Sequence, residues 1–170
     1  MRSILNRAND GQVSVLVALV RSNTMLGAMQ KGKLLDICSP KSLGKQKKMD
    51  SKTLNRWAEL GLFDLSDKDE VKVADEYRNT LRRTNASIES VSSVARKIVL
   101  AQHNNINFWK PEENRAADLT RAVSWILAQN IHEFVPTSYS KVETRVLEQI
   151  KSPEVVIFQN DTRWQGFVSW

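Results

Sequence analysis

Seven of the eight residues from Val13 to Val20 are apolar, with Ser14 as the exception. A segment that apolar has almost no face to give to water, so the rest of the fold assembles around it. Val13, Leu16, Val17 and Val20 share one face at helical spacing, and Val15, Ala18 and Leu19 thicken it. The pattern predicts a helix over Asp10 to Asn23, capped by Asp10, with Ile4 and Leu5 packing back as a leading segment. A buried strand is the competing reading, because Val is frequent and so short a run does not settle the period. The run is too short to cross a bilayer, where about 20 residues are needed. Asn6, Arg7, Asn9 and Asp10 stand where a signal peptide would be apolar. The expectation is therefore a cytoplasmic protein with no membrane partner.

With 170 residues at 41% apolar and 26% charged, the chain suits one compact domain or two small ones. Six Gly and four Pro leave few turns, which disfavours a loop-rich sandwich and favours helices. One cysteine, Cys38, excludes a disulfide within the chain, and two isolated histidines leave no zinc-ligand pattern. No metal and no cofactor are expected.

Leu34, Leu35 and Cys38 predict a short second helix over Gln30 to Cys38, stopped by Ser39-Pro40. Lys41 to Lys48 reads as a basic connection containing Gly44. Asp50 or Ser51 then caps a third helix, with Leu54, Trp57, Ala58 and Leu60 inward and Gly61 as its left-handed stop. This leaves Lys52, Thr53, Asn55, Arg56 and Glu59 outward. Leu62 to Leu65 and Val71 to Val73 flank the polar turn Ser66 to Glu70, a hairpin signal. Three helices and then a hairpin are the winged-helix order. The phrase from Leu54 to Phe63 resembles the end of a winged-helix recognition helix entering its first wing strand, a likeness that covers about residues 10 to 75.

Downstream, Asp75 to Thr84 reads as a polar helix. Ile88, Val91, Val94, Ala95, Ile98 and Val99 fit one amphipathic helix extending toward Gln102. His103 to Pro111 breaks the pattern. A helix from about Glu112 to Gln129 turns Ala116, Leu119, Ala122, Val123, Ile126 and Leu127 inward, and its dipole accounts for Glu112 and Glu113 at the start. Another helix, capped by Ser138 or Ser140, carries Val142, Val146, Leu147 and Ile150. Asp161 caps a last one with Trp164, Phe167, Val168 and Trp170. The i, i+3 pair Phe167/Trp170 echoes Leu54/Trp57, so the end of the chain reads as a second winged-helix unit lacking its hairpin. The apolar terminal Trp170 suggests a fragment or an engineered boundary. The fold class expected is mainly α with a small β-hairpin. An N-terminal winged helix-turn-helix spans residues 1–75, linking or oligomerising helices span 76–111, and a second, incomplete helical unit spans 112–170.

Charge is concentrated at the front. Residues 1–62 carry net +7 and the remainder −1, and the stretch Lys31 to Arg56 holds eight basic residues against Asp36 and Asp50. Such a patch suits a polyanion. On a recognition helix in the major groove, outward polar side chains read base edges while flanking cations neutralise phosphates. The base-edge candidates are Thr53, Asn55 and Arg56, with Lys52 in either role and Lys45, Lys47 and Lys48 on phosphates. The wing argues otherwise: Asp64, Asp67, Asp69 and Glu70 outnumber Lys68 and Lys72, so its tip repels phosphate and suits a protein.

Other chemistry reads weakly. Gly27 to Leu34 has phosphate-loop spacing, but Leu34 stands where a Ser or Thr must hold Mg²⁺. Glu70-Val71-Lys72 with an upstream Asp imitates a metal-dependent nuclease by a pattern that chance supplies often. His103 and His132 have no partners at ligand spacing, and Cys38 reads as a small core residue. Trp57, Trp125 and Trp164 fall on apolar faces, leaving Trp109, beside Lys110 and Pro111, uncommitted.

The opening Ile4-Leu5-Asn6-Arg7-Ala8-Asn9-Asp10-Gly11, running into Val13 to Val20, resembles the start of DpdG-type proteins. These occur in bacterial gene islands that insert 7-deazaguanine derivatives into DNA and restrict phage. Ala116 to Gln129 and Asn160-Asp161-Thr162-Arg163-Trp164 are similar to the same family. The resemblance implies a subunit of a defence system that acts beside partner enzymes, in a natural protein extending beyond Trp170; it brings no catalytic residues. The expected function is non-catalytic binding of double-stranded DNA in a bacterial anti-phage modification and restriction system, beside other subunits of that system and with a homo-oligomer open. The alternative is an adaptor whose winged helix contacts another subunit.

Overall fold

A computed structural model of the chain describes residues 11–39, 44–106, 108–109, 116–130, 132 and 139–150. Two compact units divide it, and Gly11–Ile98 forms one of them.

Helix α1, Gly11–Leu26, settles the first ambiguity in favour of a helix and runs three residues past the expected end. The cap expected of Asp10, like Ile4 and Leu5, lies outside the described residues. Leu16, Val17, Leu19 and Val20 are buried, as so apolar a helix requires. Gly27 ends it with φ +84°, its N–H donating to the Asn23 carbonyl at 2.9 Å. Strand β1, Met29–Gln30, follows and leads directly into α2, Lys31–Cys38, whose Leu34 and Leu35 are buried. Two residues offer no alternation to read, so nothing in the sequence announces β1.

Helix α3 spans Gly44–Glu59 and corrects the sequence reading. It begins well before Asp50, so Gly44 to Lys48 is helix and not a connection. Lys, Gln and Met are good helix formers, and this propensity outweighs the helix-start signal of Asp50-Ser51. Asp50 is no cap. It is buried within α3 and accepts a hydrogen bond from the Ser39 hydroxyl. Leu54, Trp57 and Leu60 are buried as expected. Gly61, at φ +97°, terminates the helix: its N–H donates to Ala58 O at 3.0 Å and that of Leu62 to Trp57 O at 2.8 Å. This paired bonding is the Schellman arrangement, which a glycine at that position adopts without steric cost.

Strands β2, Phe63–Leu65, and β3, Glu70–Val73, form the expected hairpin, with Phe63, Asp64 and Leu65 opposite Val73, Lys72 and Val71. On its other side β3 pairs antiparallel with β1, Met29 opposite Val71, giving the sheet order β1-β3-β2. Because β1 is so short, the outer backbone of β3 runs past it. The Asn23 side chain completes the edge, its Nδ2 donating to Val71 O at 3.0 Å and its Oδ1 accepting from Val73 N at 2.6 Å. Asn23 is only 2% exposed; Val71 lies opposite Met29, and at Val73, beyond the reach of β1, the amide oxygen takes the place of a strand partner.

Helix α4, Asp75–Arg83, has Asp75 and Glu76 in its first turn and Arg82 and Arg83 in its last, matching the helix dipole. It packs on α1. Leu81 and Ala86 are buried, and an Arg21 guanidinium nitrogen donates to Ala86 O at 3.4 Å. These contacts carry the compact unit beyond the boundary at residue 75 that the hairpin suggests. Helix α5, Ile88–Leu100, buries Val91, Val94, Ala95, Ile98 and Val99 as its periodicity predicts. Ile88 is exposed instead, since it opens the helix.

In the second unit, helices α6, Ala117–Leu127, and α7, Tyr139–Ile150, enclose a small core of Ala122, Trp125, Val142 and Val146, with Leu119 and Ile126 packed against it. Helix α6 begins at Ala117 and not near Glu112; residues 110–115 lie outside the described set. Val123, Leu127 and Leu147, expected inward, are exposed, the last two at 79% and 61%. Trp125 Nε1 donates to Gln149 Oε1 at 2.8 Å, and Gln149 Nε2 donates to Gln129 Oε1 at 3.1 Å. The expected last helix with Trp164, Phe167 and Trp170 falls outside the described residues, as does the cap expected of Ser138. Overall the described chain is mainly helical with one small three-stranded antiparallel sheet.

Candidate nucleic-acid interface

The strongest grouping of polar and basic side chains lies on α3. The helix packs against α1, α2 and β2 through Leu54 and Trp57. Positions 48, 52, 55, 56 and 59 recur at helical spacing on the side away from that stripe. Lys48, Lys52 and Glu59 are exposed, while Asn55 and Arg56 are half-buried. Thr53, expected to face outward, is 2% exposed. It falls one position before Leu54 on the buried side, so its hydroxyl is not offered to a base edge. The backbone of Lys45 and Lys47 is helical, which places both on the first turns of α3, and their side chains lie outside the described residues.

Asn55 is held by a neighbour that the sequence does not reveal. Lys31 Nζ, from the first residue of α2, donates to Asn55 Oδ1 at 2.8 Å. The Lys31 backbone N–H in turn donates to Asp69 O of the β2–β3 turn at 2.8 Å. Twenty-four residues separate Lys31 from Asn55, and only packing brings them together.

The β2–β3 turn is tightly built. Ser66 N–H donates to Glu70 O at 2.9 Å, and the Ser66 hydroxyl oxygen accepts from the N–H of Lys68 at 3.3 Å and of Glu70 at 3.1 Å. Asp69 takes the left-handed conformation at φ +59°. Asp64, Asp67, Asp69 and Glu70 are all exposed. Lys72 does not offset them at the tip. Its ammonium lies 3.4 Å from the Asp64 carboxylate and 3.0 Å from that of Asp75, which also sits 3.2 Å from Arg78. The hydrogen bond and charge of Asp75 raise the Lys72 pKa. Lys72, and then Arg78, hold the Asp75 carboxyl below its ordinary value. The nuclease-like Glu70-Val71-Lys72 therefore lies in a hairpin whose lysine is engaged in an ionic chain.

The phosphate-loop spacing begins after a helix, α1, whereas that chemistry needs a strand before its loop, and Leu34 is fully buried. Cys38 is half-buried; burial raises its thiol pKa, and its Sγ donates to Ser22 Oγ at 3.6 Å. His103 and His132 are exposed. Among the described residues no three His, Cys, Asp or Glu side chains are grouped to hold a metal ion, and no helix is long and apolar enough to cross a membrane. Trp57 and Trp125 are buried, as their apolar faces indicate. Trp109 is 64% exposed and meets Phe108 edge-on at 4.9 Å. Arg121 lies 5.5 Å from the Phe108 ring centre and donates to Phe108 O.

Sequence reasoning missed Asn23, whose side chain completes the sheet. Its signal is position: an amide three residues after Val20, at helical spacing from the buried Leu16, Leu19 and Val20. A buried amide must find partners.

In class, then, this is a mainly helical protein with a small sheet, whose basic helix and acidic hairpin belong to one compact unit. The family model described as DpdG-like matches residues 2–170, and the chain belongs to that family. Membership fits a DNA-modification defence setting. No curated protein and no solved structure matches the chain.

Proposed function

We propose that the Gly11–Ile98 unit is a winged helix that binds double-stranded DNA through α3, as a non-catalytic component of a bacterial anti-phage modification and restriction system. The reading rests most on α3, a helix rich in Lys and Arg that buries one stripe and keeps Lys48 and Lys52 in water. The element order and the sheet order β1-β3-β2 support it, since a winged helix requires a strand between its first two helices and a hairpin after its third. Lys45, Lys47, Lys48 and Lys52 neutralise phosphates, and Asn55 and Arg56 stand nearest the base edges. The protein acts in the cytoplasm beside other subunits of the system, with its second helical unit open to a partner or a second copy.

A titration of duplex DNA against ionic strength tests this. Binding in low salt should weaken steeply as salt rises, and the combined changes Lys47→Ala, Lys48→Ala, Lys52→Ala and Arg56→Ala should abolish it in a still-folded protein. No binding at low salt, or binding indifferent to those changes, removes the proposal. The exposed Asp64, Asp67, Asp69 and Glu70 favour one second reading, an adaptor whose wing docks on a basic surface of another subunit.

A further inference from the structure

An ammonium has three donors and no lone pair, so the contact between Lys31 Nζ and Asn55 settles the orientation of the amide: Oδ1 meets Lys31 and Nδ2 points the other way. This matters because asparagine reads adenine with both ends, Oδ1 accepting from the N6 amino group while Nδ2 donates to N7. In Asn55 the oxygen already serves Lys31 at 2.8 Å, and a positive charge sits beside its remaining lone pair. An incoming amino group would meet that ammonium. What the pair can offer outward is donors alone, the Nδ2 hydrogens and the spare hydrogens of Lys31.

Resting on the DNA-binding reading above, we infer that Lys31 and Asn55 form a single donor patch that takes a hydrogen-bond acceptor of the duplex and turns Asn55 away from adenine. The acceptor is the O6/N7 edge of guanine or a phosphate oxygen, which share this chemistry. Lys31 is suited to the task because it is braced twice. Its backbone N–H is bonded to Asp69 O of the β2–β3 turn, and its side chain is bonded to α3. The hairpin thereby helps to set which base edge α3 reads, without touching DNA itself.

The test selects binding sites from a randomised duplex library with the full chain as wild type and as Lys31→Met, Lys31→Arg and Asn55→Ala, followed by salt titrations on the selected sites. Lys31→Met keeps the backbone bond to Asp69 while removing the charge, so the fold is retained. If the acceptor is guanine, wild type enriches guanine at the position that loses its preference in Asn55→Ala, with a loss of about tenfold in affinity. Lys31→Met then moves that position toward adenine, and Lys31→Arg does not. If the acceptor is phosphate, Asn55→Ala weakens every sequence alike, and Lys31→Met lowers the salt slope by about one. Adenine at the Asn55-dependent position of wild type, or a Lys31→Met protein with unchanged preference and slope, overturns the inference while DNA binding stands. A wild type that binds no duplex at all overturns both.

Discussion

Helix α3 and the β2–β3 hairpin are neighbours in one compact unit, yet they carry opposite charge. The helix sets Lys48 and Lys52 in water, and the hairpin sets Asp64, Asp67, Asp69 and Glu70 there. Lys31 ties them, its backbone N–H bonded to Asp69 O of the hairpin turn and its ammonium to Asn55 Oδ1 of the helix. A polyanion cannot favour both surfaces at once. On the DNA-binding reading proposed above, the contrast gives them different work: the helix would attract phosphate, while the acidic tip of the hairpin would repel it.

The largest effect expected on this contrast comes from Asn23→Ala. It leaves Val73 N without its buried partner, at about 1–3 kcal/mol, and removes a second bond to Val71 O, which stays opposite Met29. Urea denaturation should read a loss of about 2–4 kcal/mol. A loss below about 1 kcal/mol would mean that water replaces the amide and that the hairpin does not depend on α1. Next, Asp67→Asn, Asp69→Asn and Glu70→Gln together should strengthen duplex binding by about three- to tenfold at low salt and leave it unchanged at high salt, because exposed charges act within about a Debye length. A decrease would place the hairpin tip against a cation of the complex.

Asp69→Gly relieves a left-handed residue at φ +59° and should stabilise by about 0.5–1 kcal/mol, raising Tm by a few degrees. The main-chain acceptor for Lys31 survives in this variant, so DNA preference should not move. The smallest effect concerns pH. The Asp75 carboxyl is held below its ordinary value by Lys72 and Arg78, so its stabilising contact is present above the unfolded value near pH 4 and is lost as pH falls through the folded one. Asp75→Asn should flatten that acid limb in urea midpoints measured between about pH 5 and 2. An acid limb identical to that of wild type would dismiss the ionic chain at the hairpin base.

Legibility in the sequence followed the length of the signal. Helix α1, the amphipathic α5 and the hairpin were readable because each repeats its pattern over several residues. The Gly61 stop was readable from a single residue, since few others tolerate that conformation. The start of α3 is not legible, because Asp50 has the chemistry of a cap, and only tertiary packing tells a capping carboxylate from one buried against Ser39. Thr53 sits beside the buried stripe and not on the outward face that its spacing suggests, a difference of one position that exchanges water for the core. Apolar spacing puts Leu127 and Leu147 inward, yet both are exposed, because spacing names a face and not what covers it.

By itself the sequence determined a helical chain with an early hairpin, a basic front and membership of the DpdG-like family, since composition, period and charge are properties of the residues alone. The tertiary structure decided which side chains meet. Strand β1 exists only because β3 is there to pair with it, Asn23 completes a sheet edge about fifty residues away, and Lys31 orients Asn55 across a gap that no local pattern spans. Contacts between distant residues depend on how the core closes, and that is a property of the whole fold.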